Sequence, residues 1–106
     1  MHASIRSYRI NPAQVAEVAH RVDEKFVPRL EMLDGFVDYQ VIDCGNGRLY
    51  SFTICRDRDS GEESVALAAG FVREELADIE MERLGVEMGE VLVSRARYKV
   101  LVPAHA

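Results

Sequence analysis

The sequence predicts one α+β domain with the element order βαββαβ. Three observations carry this. Asn46-Gly47 lies between two runs of strand-like residues, and an Asn-Gly step is the strongest short-range hairpin signal, because both central residues of its turn take positive φ. Asn11-Pro12 opens a helically spaced stretch before that hairpin, and Ser60-Gly61-Glu62-Glu63 opens another after it. With a strand-like run at each end, these elements occupy nearly all of the 106 residues.

The first strand is His2–Ile10. Asn11 is a good helix cap, and Pro12 suits the first helical position. The first helix then runs to about Leu33, with Val15, Val18, Val22, Phe26, Leu30 and Leu33 on one stripe. Pro28 interrupts it; the missing donor predicts a kink or break near Phe26–Val27. Strands follow at Phe36–Cys44 and Arg48–Arg56. Ser60 and Glu63 fit a capping box for the second helix. That helix runs to about Arg83 or Leu84, with a core stripe of Val65, Ala68, Ala69, Val72, Leu76 and Ile79, and Gly85 closes it. Leu67 and Phe71 lie off the stripe. The last strand is Glu90–Leu101, before Pro103. This order is the ferredoxin-like plan, an antiparallel sheet with two helices on one face, as a single domain over 1–106.

The hairpin register follows from the two-residue loop. Gly45 lies opposite Arg48, and Tyr39 opposite Ile54. One face then gathers Val37, Tyr39, Val41, Tyr50, Phe52 and Ile54. A slip of one residue would mix Ser51 and Thr53 into that set, so the segregated register is preferred and its apolar face is set against the helices. The opposite face still carries Phe36, Ile42, Leu49 and Cys55 among small residues. A face of that kind suits burial against a second sheet, which predicts a homodimer.

Composition narrows the function classes. A net charge of −5 with scattered basic residues argues against nucleic acid as a partner. No apolar run approaches the ~20 residues of a membrane span, and no basic stretch followed by an apolar block opens the chain. A cytoplasmic protein without membrane association is expected. Cys44 and Cys55 are the only cysteines, with no ligand spacing for zinc, so no metal site is expected.

The chain resembles the antibiotic biosynthesis monooxygenase-like superfamily of dimeric α+β barrels, in its uncharacterised branch. The residues that carry the likeness are Leu33-Asp34-Gly35-Phe36 after the first helix, Leu49-Tyr50-Ser51-Phe52-Thr53-Ile54-Cys55 leading through a charged loop into Glu63-Ser64-Val65-Ala66-Leu67-Ala68, and Gly89-Glu90-Val91-Leu92. The resemblance implies a homodimer with two sheets face to face and a ligand pocket between helices and sheet. It implies activities that include cofactor-independent oxygenation and haem degradation. The haem-degrading members resemble one another in a first-strand Asn, a Trp and a second-helix His. This chain has no Trp, no His in its second helix and no Asn in its first strand before Asn11. Haem chemistry is therefore not expected, and no cofactor is assigned.

The candidate pocket-lining residues are Tyr39, Tyr50, Phe52, Phe26 and Arg6. The three hairpin aromatics are either ordinary core or the wall of a site for a flat aromatic ligand; Tyr98 could join them. Arg6, Arg9, Arg95 and Arg97 fall on the first and last strands, which neighbour each other in this plan. They form either a solvated edge or an anion site for a carboxylate or phenolate. His20 points away from the apolar stripe, and Glu74, Glu75, Asp78, Glu80 and Glu82 read as a wet helix side. No catalytic residue is assigned. The reading is a small dimeric α+β barrel that binds a hydrophobic or aromatic small molecule as a cofactor-independent monooxygenase. The alternative is a non-enzymatic ligand-binding or structural dimer of the same fold.

Overall fold

The computed structural model describes residues 1–97. Its strands are β1 (His2–Ile10), β2 (Phe36–Asp43), β3 (Arg48–Cys55) and β4 (Met81–Glu90). They form one antiparallel sheet in the order β2-β3-β1-β4. The helices α1 (Val15–Arg21), α2 (Val27–Glu31) and α3 (Arg58–Glu75) cover one face. Val18, Phe26, Leu30, Ala68 and Phe71 pack there on Ile10 and Leu49. The α+β ferredoxin-like plan read from the sequence is the architecture observed.

The first helical segment starts as expected. Asn11 Oδ1 accepts from Ala13 N at 2.9 Å, and Pro12 opens a short 3-10 turn. The disturbance at Pro28 takes a specific form. The helix widens into one π-helical turn, Val22–Phe26, where Val27 N donates to Val22 O. It then restarts as α2, with Pro28 in the first turn, where its missing N–H costs no hydrogen bond.

The second helix departs from the expectation at both ends. Asp57, not Ser60, is its cap: Asp57 Oδ1 accepts from Ser60 N at 2.9 Å. It stops at Glu75, and Met81–Glu90 pair with β1 as a strand. The apolar positions Leu84, Val86 and Met88 alternate, so they serve a strand as readily as a helix, and the β1 edge offers a full ladder of hydrogen bonds. Gly85 is a strand residue opposite Ser7, beside a bulge at Ser7/Tyr8, and not a helix stop. Of the strand expected at Glu90–Leu101 only Glu90 lies in a strand and residues 91–97 do not; from residue 98 on, Tyr98 included, it lies outside the described residues. The buried stripe of α3 is Gly61, Ser64, Ala68 and Phe71, rotated from the hydropathic stripe. Small residues win the sheet-facing side because they let the helix backbone approach closely.

The hairpin corrects the register. Cys44 N donates to Arg48 O at 2.9 Å, so three residues, Gly45, Asn46 and Gly47, form the loop. All three have positive φ, at 87°, 54° and 76°. Tyr39 therefore faces Thr53, not Ile54, and Val41 faces Ser51. That shift turns the other face of β3 toward the helices: Leu49, Ser51, Thr53 and Cys55 are all buried. Tyr50, Phe52 and Ile54 move to the outer face with Ile42, and Val37 bulges outward beside Phe36. Cys55 sits under α3, contrary to the expectation for it; Cys44 is exposed, and both are free.

The helices are locked together at one end. Arg21 makes a bidentate pair with Asp78, at 2.6 and 2.9 Å, and donates to Glu75 O at 3.0 Å. Arg29 and Lys25 reach Glu75 at 3.1 and 3.4 Å. Part of the acidic run thus clamps α3 to the first helical segment instead of only facing water.

Gly47 is where the loop tolerates least. A Cβ there would collide with the carbonyl oxygen of Ile10, whose own N–H donates to Gly47 O at 2.9 Å. Gly47→Ala is expected to cost about 2 kcal/mol or more, the left-handed penalty plus displacement of Ile10. Urea unfolding checks this. Gly45→Ala, with open space around the new methyl, should lose only the conformational part.

Candidate functional site

Where helices meet sheet, the packing leaves a cavity of about 40 Å³. Its wall includes Arg6 and Tyr8 from β1, Tyr39 from β2, Ser51 from β3, Phe26 from the π-turn and Phe71 from α3. The lining is mainly apolar, with a few polar groups gathered on the sheet side.

Arg6 is the most unusual of these. The sequence alone does not say which face of β1 carries it; it points to the helices and is 2% exposed. Register explains its neighbours. Arg6 pairs with Ser51, and Ser4 with Thr53, so the two β3 hydroxyls stand beside the guanidinium. Nε donates to Ser51 Oγ at 3.2 Å, and Nη2 to Thr53 Oγ1 at 3.4 Å. Nη1 is buried without a partner. The guanidinium lies 6.0 Å from the centroid of the Phe26 ring. Among the described residues no carboxylate pairs with it. Taking such an ion out of water costs several kcal/mol even after relaxation. Two long bonds to neutral hydroxyls and one ring contact fall short of that cost.

Tyr39 stands next to it. Its ring meets Phe26 edge-on at 5.5 Å, and Phe26 in turn tilts against Phe71 at 5.1 Å. Burial pushes the Tyr39 phenol well above its ordinary value of 10.0; the Arg6 charge and the Ser51 hydrogen bond oppose the shift, and Tyr8 adds to it. Tyr39 is therefore a proton-bearing donor at neutral pH, not a base.

Of the residues expected to line a pocket, Arg6, Phe26 and Tyr39 converge. Phe52 does not join them, and Tyr50 meets the cavity only at its border. The shifted register turns both side chains to the outer face, where their rings stack at 6.5 Å. Arg48 lies over Tyr50 and donates to its hydroxyl at 3.1 Å. The four-arginine cluster also disperses. Arg9 pairs with Glu82 on the exposed edge. Arg95 and Arg97 lie beyond β4, exposed. His20 is exposed, as its helical position suggested. No group of three or more metal-ligating side chains occurs among the described residues. Sequence reasoning missed Ser51 and Thr53, which look like a wet face until Arg6 is known to lie opposite. It also set Phe71 aside, because the α3 stripe had been drawn through hydropathy and skipped Gly61 and Ser64.

Solved structures share this arrangement of elements. A dimeric ferredoxin-like protein from an uncultured marine organism matches at a TM-score of 0.68 and 12% identity, over 91% of this chain and 98% of that one. A candidate antibiotic biosynthesis monooxygenase from Chloroflexus aurantiacus matches at 0.65 and 11%, over 90% and 96%. SnoaB, a cofactor-independent oxygenase from Streptomyces nogalater, matches at 0.62 and 13%, over 88% and 94%. The chain shares their fold. The likeness to the antibiotic biosynthesis monooxygenase-like superfamily holds at that level, and at these identities it extends to fold alone. No protein-family model and no curated protein matches the sequence. No helix among the described residues is long and apolar enough to cross a membrane.

The Tyr39 phenol carries a pH signature. Its folded-state value is raised, so the unfolded chain releases the proton first as pH climbs past about 10. The stability it contributes is full below that pH and declines above it. Tyr39→Phe should cost at most about 1 kcal/mol at neutral pH, through the lost polar contact of the phenol with Ser51. Above pH 10 the gap to wild type should close by up to about 1.4 kcal/mol per pH unit. Urea titrations at stepped pH measure both.

Proposed function

We propose that the chain binds a hydrophobic or aromatic small molecule between its helices and sheet and oxidises it as a cofactor-independent monooxygenase. The observation that carries this is the gathering of Arg6, Tyr39 and Ser51 around one buried spot in an otherwise apolar wall. A few convergent polar groups in an apolar cavity are the usual anatomy of a ligand site. The shared fold with SnoaB, itself a cofactor-independent oxygenase, supports the reaction class.

The chemistry would come from the substrate. A phenol or enol loses its proton, and the anion passes one electron to dioxygen. The resulting carbon radical and superoxide join in a C–O bond, giving a peroxide. Protonation, O–O cleavage and loss of the remaining C–H proton expel water and leave a carbonyl. One oxygen atom enters the product and the other enters water, so a CH₂ group and O₂ become C=O and H₂O. The protein contributes a dry site, orientation and fixed donors that favour the anion.

In chelator-treated buffer, dioxygen uptake with electron-rich polycyclic phenols should exceed the buffer rate, with water and not hydrogen peroxide as the second product. Uptake at the buffer rate across the series would sink the oxygenase reading. It would favour the second reading, a non-enzymatic ligand-binding or structural dimer. The observation on that side is the size of the cavity: about 40 Å³ is far below the roughly 300 Å³ of the smaller ligand pockets. Either way, Phe26 and its neighbours must yield before a ring can enter.

The outer sheet face supports a homodimer. It carries Ile5, Ile42, Tyr50, Phe52 and Ile54 with the small residues Ala3, Ser7 and Gly85, and Asp38, Gln40 and Glu87 stand beside Ile54, Phe52 and Ile5 on the same face. A groove of about 520 Å³ opens there, between Ile42, Arg48, Tyr50 and Phe52. A second copy laid on this face would cover it, in an interface of about 800 Å² per partner; one neighbour in fold is described as dimeric. Light scattering should give twice the 11.9 kDa chain mass, and Phe52→Asp should shift the protein to monomer. A wild-type mass equal to that of one chain would exclude the dimer.

A further inference from the structure

We infer that this site selects its ligand by charge: Arg6 receives the ionised oxygen of a planar organic monoanion, a carboxylate or a phenolate-type oxygen, once the Phe26 ring withdraws from it. The inference rests on the proposal that a small molecule binds between helices and sheet, and it adds the ligand's charge and the group that reads it.

Four features point the same way. The Arg6 guanidinium is 2% exposed, and its neighbours leave its charge unbalanced. Ser51 and Thr53 occupy the Nε and Nη2 edge of the fork, while Nη1 keeps unused donors. The free end of a guanidinium fork matches the lone pairs of an oxyanion in plane. The adjoining space, about 40 Å³, holds about three water-sized centres at ~13 Å³ each. That fits one carboxylate, or an ionised oxygen with its carbon, and excludes a ring. The space thus admits no more than an acidic head, and Nη1, which is shut off from water, meets that head only when a wall moves.

The wall that can move is Phe26. Its ring lies over the guanidinium and closes the site from the helix side. It stands at the end of the π-turn Val22–Phe26, the irregular turn in the helical layer, and such turns concentrate at functional sites. Two arginine clamps flank that turn, Arg21 on Asp78 before it and Arg29 on Glu75 after it, while Lys25 within it reaches Glu75 at 3.4 Å through a long, largely exposed side chain that can follow a small shift. A shift confined to the π-turn would withdraw the ring while both clamps stay closed. An entering anion would then replace the ring as the neighbour of Arg6.

Calorimetric titrations with matched probes test this. 2-Naphthoate is paired with the neutral 2-naphthamide, and 4-nitrophenolate with the neutral 4-nitroanisole. Wild type should prefer at least one anion over its neutral partner by at least about tenfold, the worth of a charge-assisted hydrogen bond to a buried cation. Which anion is preferred tells a carboxylate head from a phenolate-type one. Arg6→Met should abolish the preference and keep the neutral probe's affinity. Arg6→Gln serves as a second variant, with melting curves confirming that each is folded. Phe26→Ala should tighten both members of a pair, because it opens the wall. Equal binding of charged and neutral probes by wild type would overturn the charge-reading role and leave the ligand site standing. A preference that survives in folded Arg6→Met would also overturn it. No binding of any probe, even by Phe26→Ala, would overturn the ligand site itself.

Discussion

The register of one hairpin governs this molecule. The chain reverses at Gly45-Asn46-Gly47 through three successive left-handed residues, and Gly47 is held against the end of β1 by its hydrogen bond with Ile10. That contact ties the reversal of the hairpin to the central strand. Because side chains alternate along a strand, the loop length decides which half of β3 meets the helices. A two-residue loop would have put Tyr50, Phe52 and Ile54 there. The three-residue loop puts Leu49, Ser51, Thr53 and Cys55 there instead. Small side chains on β3 then lie on the sheet face that α3 covers with Gly61, Ser64 and Ala68, and the helix lies close to the sheet.

The same register gives Arg6 its surroundings. The two hydroxyls that reach the guanidinium come from Ser51 and Thr53, on the turned face. Without them the guanidinium would lose both of these hydrogen bonds, and its burial would cost more. With them it is tolerated but not neutralised. Phe26 finishes the enclosure, and it reaches the guanidinium because the helix widens by one π-turn before Pro28. The local disturbance introduced by a proline thus becomes part of the site's geometry.

The two faces of the sheet have separate tasks. The inner face combines a tight helix contact with one polar spot. The outer face carries stacked aromatics, aliphatic residues and an open groove, with Arg48 over Tyr50. The fold is shared by proteins of differing activity, so the architecture does not by itself select a reaction. What is particular to this chain is a buried cation with a free donor, next to a space of the size of an acidic group.

The sequence by itself determined the order of elements through the hairpin, the helix start at Asn11-Pro12, the disturbance at Pro28 and the α+β class. Each of these rests on local chemistry: a positive-φ turn, a cap, a missing donor, a periodic stripe. It also brought Arg6, Phe26 and Tyr39 into consideration. It did not fix the loop length at Gly45–Gly47, because Asn-Gly serves both two- and three-residue reversals. It did not fix the end of α3, because Leu76, Ile79 and the residues up to Met88 carry a pattern open to helix and strand alike; the hydrogen bonds of the β1 edge settle it. Nor did it reveal Ser51 and Thr53 as buried. A serine or threonine in a strand reads as a wet position unless its cross-strand neighbour is known, and that neighbour lies more than forty residues away in the chain. Tertiary pairing alone brings a charge and its hydroxyls together, because desolvation is a property of the assembled layers and not of any one segment.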